Sequence, residues 1–196
     1  MSRPPNPELI EKIVDVVFDL VKQRSVEAIT LRMVARRLNI TATTIYYYYQ
    51  DKEELLNRIK IKGFAELDDF VSKAIKPKDT AKNKLKTILN SFYKWCLSNS
   101  NLAQLMFVSL PAESKPESKE IFYKGFISMI EIIKGGIEKG EFKQVDAEQE
   151  GLLLYSAIFG ITTLHMNQRL TEKYNKNADN LIKKTIDLLL GELSAK

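Results

Sequence analysis

A chain of 196 residues, 44% hydrophobic and 28% charged, has the composition of an ordinary globular protein. It is long enough for a buried core and for one or two domains. Its net charge of +5 is modest for a polyanion binder, so the placement of charge carries more information than the total. The single cysteine, Cys96, excludes an internal disulfide and fits a reducing cytoplasm.

The opening Met-Ser-Arg-Pro-Pro-Asn-Pro has no apolar run of the kind a signal peptide needs. The longest apolar stretch, Gly151 to Leu164, carries Ser156, Thr162 and Thr163 and falls short of the ~20 residues of a bilayer span. No membrane partner is therefore expected. Asn6-Pro7 reads as N-cap followed by proline at the first helical position. Ile10, Ile13, Val14, Val17 and Val21 then follow the spacing of one buried helical face. Thr30 is placed to cap a second helix with apolar positions Leu31, Val34, Ala35 and Leu38, ending near Asn39, a residue type that tolerates the left-handed conformation.

The next stretch is ITATTIYYYY, residues 40–49. Thr, Ile and Tyr favour strands, but Thr41 reads as an N-cap and Ile40 with Ile45 as a hydrophobic staple, which predicts a short third helix. Turning ~100° per residue from Ile45 puts Tyr49 on the buried side and Thr43, Tyr46 and Tyr47 on the opposite one. Asp51-Lys-Glu-Glu54 has the form of a capping box and starts a helix that runs to about Lys76-Pro77.

Longer helices are predicted beyond Pro77: about 80–98, 102–110, 119–139, 146–169 and 172–190, with residues 112–118 as a loop and Gly140 as a C-cap. No strand, repeat or low-complexity tract stands out. The fold class is all-α, with about nine helices. It divides into a helix-turn-helix unit over residues 1–50, a connecting helix over 51–76 and a long-helix domain over 77–196.

Two short helices separated by a tight turn, the second carrying outward hydroxyls, form a unit that places its last helix in the DNA major groove. Between Ala28 and Gln50 there is no Asp or Glu, while Arg32, Arg36 and Arg37 lie in that window. That is the local charge a phosphate backbone requires. No Arg, Lys, Asn or Gln occurs from Ala42 to Tyr49, so base reading there rests on hydroxyls and apolar contacts. Arg32 is the one nearby side chain able to fork onto guanine.

The segment Thr30 to Leu55 resembles the DNA-binding signature of the TetR/AcrR repressors. The resemblance is carried by Val34-Ala35, Thr44-Ile45-Tyr46, Tyr49, and Lys52-Glu53 with Leu55, and it covers about residues 8 to 60. Asn39 stands where the family usually has Gly in the turn, Thr43 where it frequently has Gly in the recognition helix, and Ser25 in place of a common Gly after the first helix.

The resemblance implies phosphate contacts from Tyr46 and Lys52, groove contacts from Thr41, Ala42, Thr43 and Tyr47, and a role for Arg32. It also implies an effector pocket in the C-terminal helices and a homodimer built from the last two, matching a palindromic double-stranded operator released by effector binding. The stretch Gly151 to Leu164 is similar to a C-terminal variety with a Trp…His-Gly pattern, Tyr155 and Phe159-Gly160 occupying those positions.

Phe92, Trp95, Met106, Phe107, Tyr123, Phe126, Met129, Tyr155 and Phe159 are the residues best suited to line a pocket. About half of them are expected to be plain core. Their character points to an apolar effector such as an acyl chain or a hydrophobic drug. His165, the one histidine, reads as a satisfied interface or core group. No catalytic residue, metal ligand set or cofactor is predicted: one His and one Cys make no cluster, and there is no Gly-rich phosphate loop. The competing readings, a helical adaptor without DNA binding or an enzyme, leave the acid-free window around a capped helix without a reason.

Overall fold

The computed structural model describes residues 6–107 and 116–195, with side chains described outside 116–123. Ten α-helices and one 3-10 turn make up the described residues, and no strand occurs among them. They are α1 (Pro7–Gln23), α2 (Leu31–Leu38), α3 (Ala42–Tyr48), α4 (Lys52–Ala74), α5 (Ala81–Ser98), α6 (Ser100–Phe107), α7 (Pro116–Glu138), α8 (Ala147–Met166), α9 (Glu172–Asn175) and α10 (Ala178–Leu193), with the 3-10 turn at Val26–Ala28.

The N-terminal helices start where their capping chemistry dictates. Asn6 Oδ1 accepts from Leu9 N at 3.3 Å and Thr30 Oγ1 from Met33 N at 3.2 Å. Thr41 Oγ1 accepts from Thr44 N, also at 3.2 Å. Asn39 takes φ 54° and ψ 42°, which ends α2 and turns the chain into α3. The start of α4 is fixed by two bonds: Glu54 N donates to Asp51 Oδ1 at 2.8 Å, and Glu54 Oε2 accepts from Gln50 N, the residue before the cap, at 2.9 Å.

The C-terminal boundaries depart from the periodic reading in three places. Helix α7 begins at Pro116, inside the expected loop, because proline at the first helical position gives up no hydrogen bond. The rest of that loop, and the end expected for the preceding helix, lie outside the described residues. Helix α8 stops at Met166, and Gln168 takes φ 53°. The single helix expected over 172–190 is two, α9 and α10, broken around Lys176-Asn177, with Asn177 Nδ2 donating to Lys173 O at 2.9 Å.

The chain forms two compact units, Met1–Ala65 with Asn99–Ser118, and Glu66–Ser98 with Lys119–Lys196. In the first, Ile13, Val17, Val21, Val34, Ile45, Ile59 and Leu102 are buried. Helix α4 approaches α6 closely there: a Cβ on Gly63 would stand 2.5 Å from Met106 Sδ. In the second, α5, α8 and α10 pack on one another around Leu85, Leu89, Leu154, Ile158, Ile182 and Ile186. Its C-terminus is tied back by Ala195 N to Glu141 O and Lys143 N to Leu193 O, each 3.0 Å.

Candidate nucleic-acid interface and sensor residues

Helix α3 sorts its four tyrosines by direction. Tyr46 and Tyr47 are 56% and 52% exposed, whereas Tyr49 is 3% exposed, with its phenol raised in pKa by burial. Tyr48 is half-buried; its hydroxyl accepts from Asn6 N at 3.4 Å and its ring meets Tyr47 edge-on at 5.0 Å. Thr43 is exposed and Ala42 half-buried on the same outer side. Thr41, also exposed, shares its hydroxyl between the α3 cap and Thr44 Oγ1 at 2.9 Å.

Arg32, Arg36 and Arg37 are exposed on α2. Lys52 has a different setting. It is half-buried and its Nζ donates to Val26 O at 2.7 Å, a partner no local pattern discloses because the two residues are 26 apart in the chain. The surface so formed offers outward hydroxyls, two exposed rings and guanidinium groups, which is chemistry suited to phosphates and groove edges.

The residues singled out as pocket lining divide between the two units. Tyr155 meets Phe159 in a stack at 5.5 Å, and Phe92 and Phe126 edge-on at 6.0 and 6.3 Å. Burial pushes the Tyr155 phenol above its ordinary range and the nearby Cys96 thiol up to about 12. Trp95 and Met129 are buried in this unit. Met106 and Phe107 belong to the other unit, where Met106 lies against Gly63 and Phe107 edge-on to Phe64 at 5.4 Å. The side chain of Tyr123 lies outside the described residues.

Periodicity alone missed the partners of His165. The Tyr93 hydroxyl donates to Asp179 Oδ1 at 2.7 Å and lies 3.1 Å from His165 Nδ1, with the two rings stacked 6.0 Å apart. With its proton given to Asp179, Tyr93 can only accept from His165, so Nδ1 carries a proton. Burial, and then the Asp179 carboxylate, hold the Tyr93 phenol above its ordinary range. The trio ties α5, α8 and α10 together. Among the described residues no cluster could hold a metal ion, and no helix is long and apolar enough to cross a membrane.

Residues 13–59 match the model of bacterial regulatory proteins of the tetR family, and residues 59–191 match that of the YsiA-like protein C-terminal region. The chain belongs to the TetR family. This regulator is therefore a DNA-binding transcription factor with a ligand-binding C-terminal domain, and not an enzyme.

The regulator is 25% identical over 191 residues to the fatty acid metabolism regulator protein of Bacillus subtilis strain 168, covering 94% of this chain and 95% of that one. A protein of unknown function from Rhodococcus sp. RHA1 shares its fold with a TM-score of 0.82 at 17% identity, over 99% of this chain and 100% of that one. The transcriptional regulator FadR from Bacillus subtilis, solved in complex with stearoyl-CoA, shares it with a TM-score of 0.70 at 23% identity, over 93% and 98% of the respective chains.

Proposed function

We propose that the regulator is a cytoplasmic homodimeric repressor that holds a palindromic operator when empty and leaves it when an acyl effector, such as a long-chain acyl-CoA, binds. The observation that carries the DNA reading is the outward pair Tyr46 and Tyr47 on a capped helix, inside a window that contains arginines and no acids. In this reading Tyr46 serves the phosphates, Thr41, Ala42, Thr43 and Tyr47 face the groove, and Arg32 reads a base edge, while Lys52, for which the resemblance implies a phosphate, is held on Val26 O.

The effector reading is supported by the ring cluster of Phe92, Phe126, Tyr155 and Phe159 and by the stearoyl-CoA in the FadR relative. Dimerisation is supported by leucines left exposed on two helices, Leu152, Leu153 and Leu164 on α8 and Leu188 on α10. Residues 1–50 then read DNA and residues 77–196 sense the effector and dimerise. The helix starting at Lys52, which contributes residues to both compact units, transmits between them.

A two-fold dimer on two half-sites holds its recognition helices about 34 Å apart, one turn of DNA. An effector that favours a conformer with another spacing releases the operator, and operator must weaken effector binding by the same factor. Fluorescence anisotropy with a duplex selected by the full chain from random-sequence DNA tests this. Affinity should fall with a log–log salt slope of about −0.9 for each phosphate neutralised, and stearoyl-CoA should displace the protein. Binding indifferent to salt would sink the DNA reading, and failure of acyl-CoAs of every chain length to displace it would sink the effector reading.

A further inference from the structure

The Lys52 ammonium, which the family resemblance implies for a phosphate, already has a neutral acceptor. Val26 O takes two hydrogen bonds, from Lys52 Nζ at 2.7 Å and from Ile29 N at 3.1 Å. The first is charge-assisted and so stronger than an ordinary amide bond. Ile29, 3% exposed, anchors this turn in the core of its unit. The next residue is Thr30, whose hydroxyl caps α2 through Met33 N at 3.2 Å. Two residues beyond Thr30 stands Arg32.

At the other end of the link, Lys52 is the first residue of α4, and the bonds of Glu54 N to Asp51 and of Glu54 Oε2 to Gln50 N leave that start little freedom. Hydrogen bonds at Val26 O, the covalent step from Ile29 to Thr30 and the Thr30 cap together join the first turn of α4 to the first turn of α2. The covalent chain at 49–51 joins the same turn of α4 to α3.

We infer that Lys52 is a positioning residue: it ties α4 to the start of α2, so that Arg32 keeps its register with the recognition helix and moves when α4 moves. This rests on the regulator reading and deepens it, because it gives α4 a grip on both helices of the reading head. Loss of Lys52 then disturbs which base is preferred, whereas loss of a simple phosphate contact weakens all sequences alike.

The experiment compares full-length wild type, Arg32→Ala, Lys52→Met and Lys52→Arg on two duplexes. One is the duplex selected from random-sequence DNA; the other carries a substitution at the base pair where Arg32→Ala relaxes preference. Wild type should discriminate by about tenfold, the order of one good base contact. Lys52→Met should bring that ratio close to one and make a further Arg32→Ala substitution without effect on it. Lys52→Arg, which keeps a charged donor, should restore the ratio.

If Lys52→Met weakens both duplexes by the same factor and leaves the ratio, Lys52 is a phosphate contact and the inference is overturned. It is overturned equally if Arg32→Ala relaxes no position. Should Lys52→Met melt below the assay temperature, Lys52→Gln, too short to reach Val26 O in the same pose, provides the same comparison. A wild-type chain that binds no duplex overturns the regulator reading itself, a result distinct from an unchanged ratio.

Discussion

Tyr46 and Tyr49 stand three residues apart, yet one ring faces solvent and the other is packed under α3 with Ile45. Their substitutions should separate fold from function. Tyr49→Ala removes a buried ring and should cost about 3–5 kcal/mol of stability, read as a lowered urea midpoint. Tyr49→Phe should leave the midpoint unchanged or raise it, because the Tyr49 hydroxyl is buried without a hydrogen-bond partner among the described residues. Tyr46→Phe should leave stability alone and weaken DNA binding through loss of one outward hydroxyl. Equal destabilisation by Tyr46→Phe and Tyr49→Ala would mean the helix is turned the other way. The direction of each ring was legible because a capped helix with a buried Ile45 leaves one rotational setting. The orphaned hydroxyl of Tyr49, the Val26 partner of Lys52 and the Tyr93–Asp179 partners of His165 were not legible. They depend on residues brought close by tertiary packing, which no local period encodes.

At the scale of the element, α3 has seven residues, too few to be stable on propensity, and its Thr, Ile and Tyr side chains favour strands. What makes it a helix is its start and its anchor: the Thr41 cap and the burial of Ile45. Thr41→Ala should therefore cost about 1 kcal/mol, while Thr41→Ser, which keeps the hydroxyl, should cost far less. Thermal melts of the two variants decide it, and equal melts would assign α3 to packing alone. The same capping logic made α1, α2 and the start of α4 legible. Toward the C-terminus the signals are weaker. Helix α8 is apolar around much of its circumference, so its end at Met166 is set by the left-handed Gln168 rather than by a loss of pattern. The α9–α10 break interrupts a run of polar residues in which helical period cannot register. Aromatic and methionine positions, similarly, gave no sign of which unit would bury them: Phe92, Phe126, Tyr155 and Phe159 meet, while Met106 and Phe107 pack in the other unit.

For the whole molecule the decisive question is the number of copies that meet the DNA, since the palindromic operator proposed above calls for a two-fold dimer to occupy both half-sites. The exposed leucines of α8 and α10 offer a place for that partner, with Leu153 50% and Leu188 64% exposed in the single chain. In a two-fold interface each substitution occurs twice, so Leu153→Glu would put two carboxylates into one desolvated patch. The change should turn a dimer into a monomer in sedimentation velocity at micromolar concentration. Because the side chain is exposed in the single chain, circular dichroism should hardly change, and the melting temperature should fall only by what association contributed. Operator affinity should fall steeply on a duplex with two half-sites and much less on one with a single half-site, since only the first gains from linking two reading heads. A Leu153→Glu chain that remains dimeric would move the interface off this face of α8. A wild type that sediments as a monomer both free and on DNA would remove the dimer, and with it the proposed release of the operator by a change of spacing.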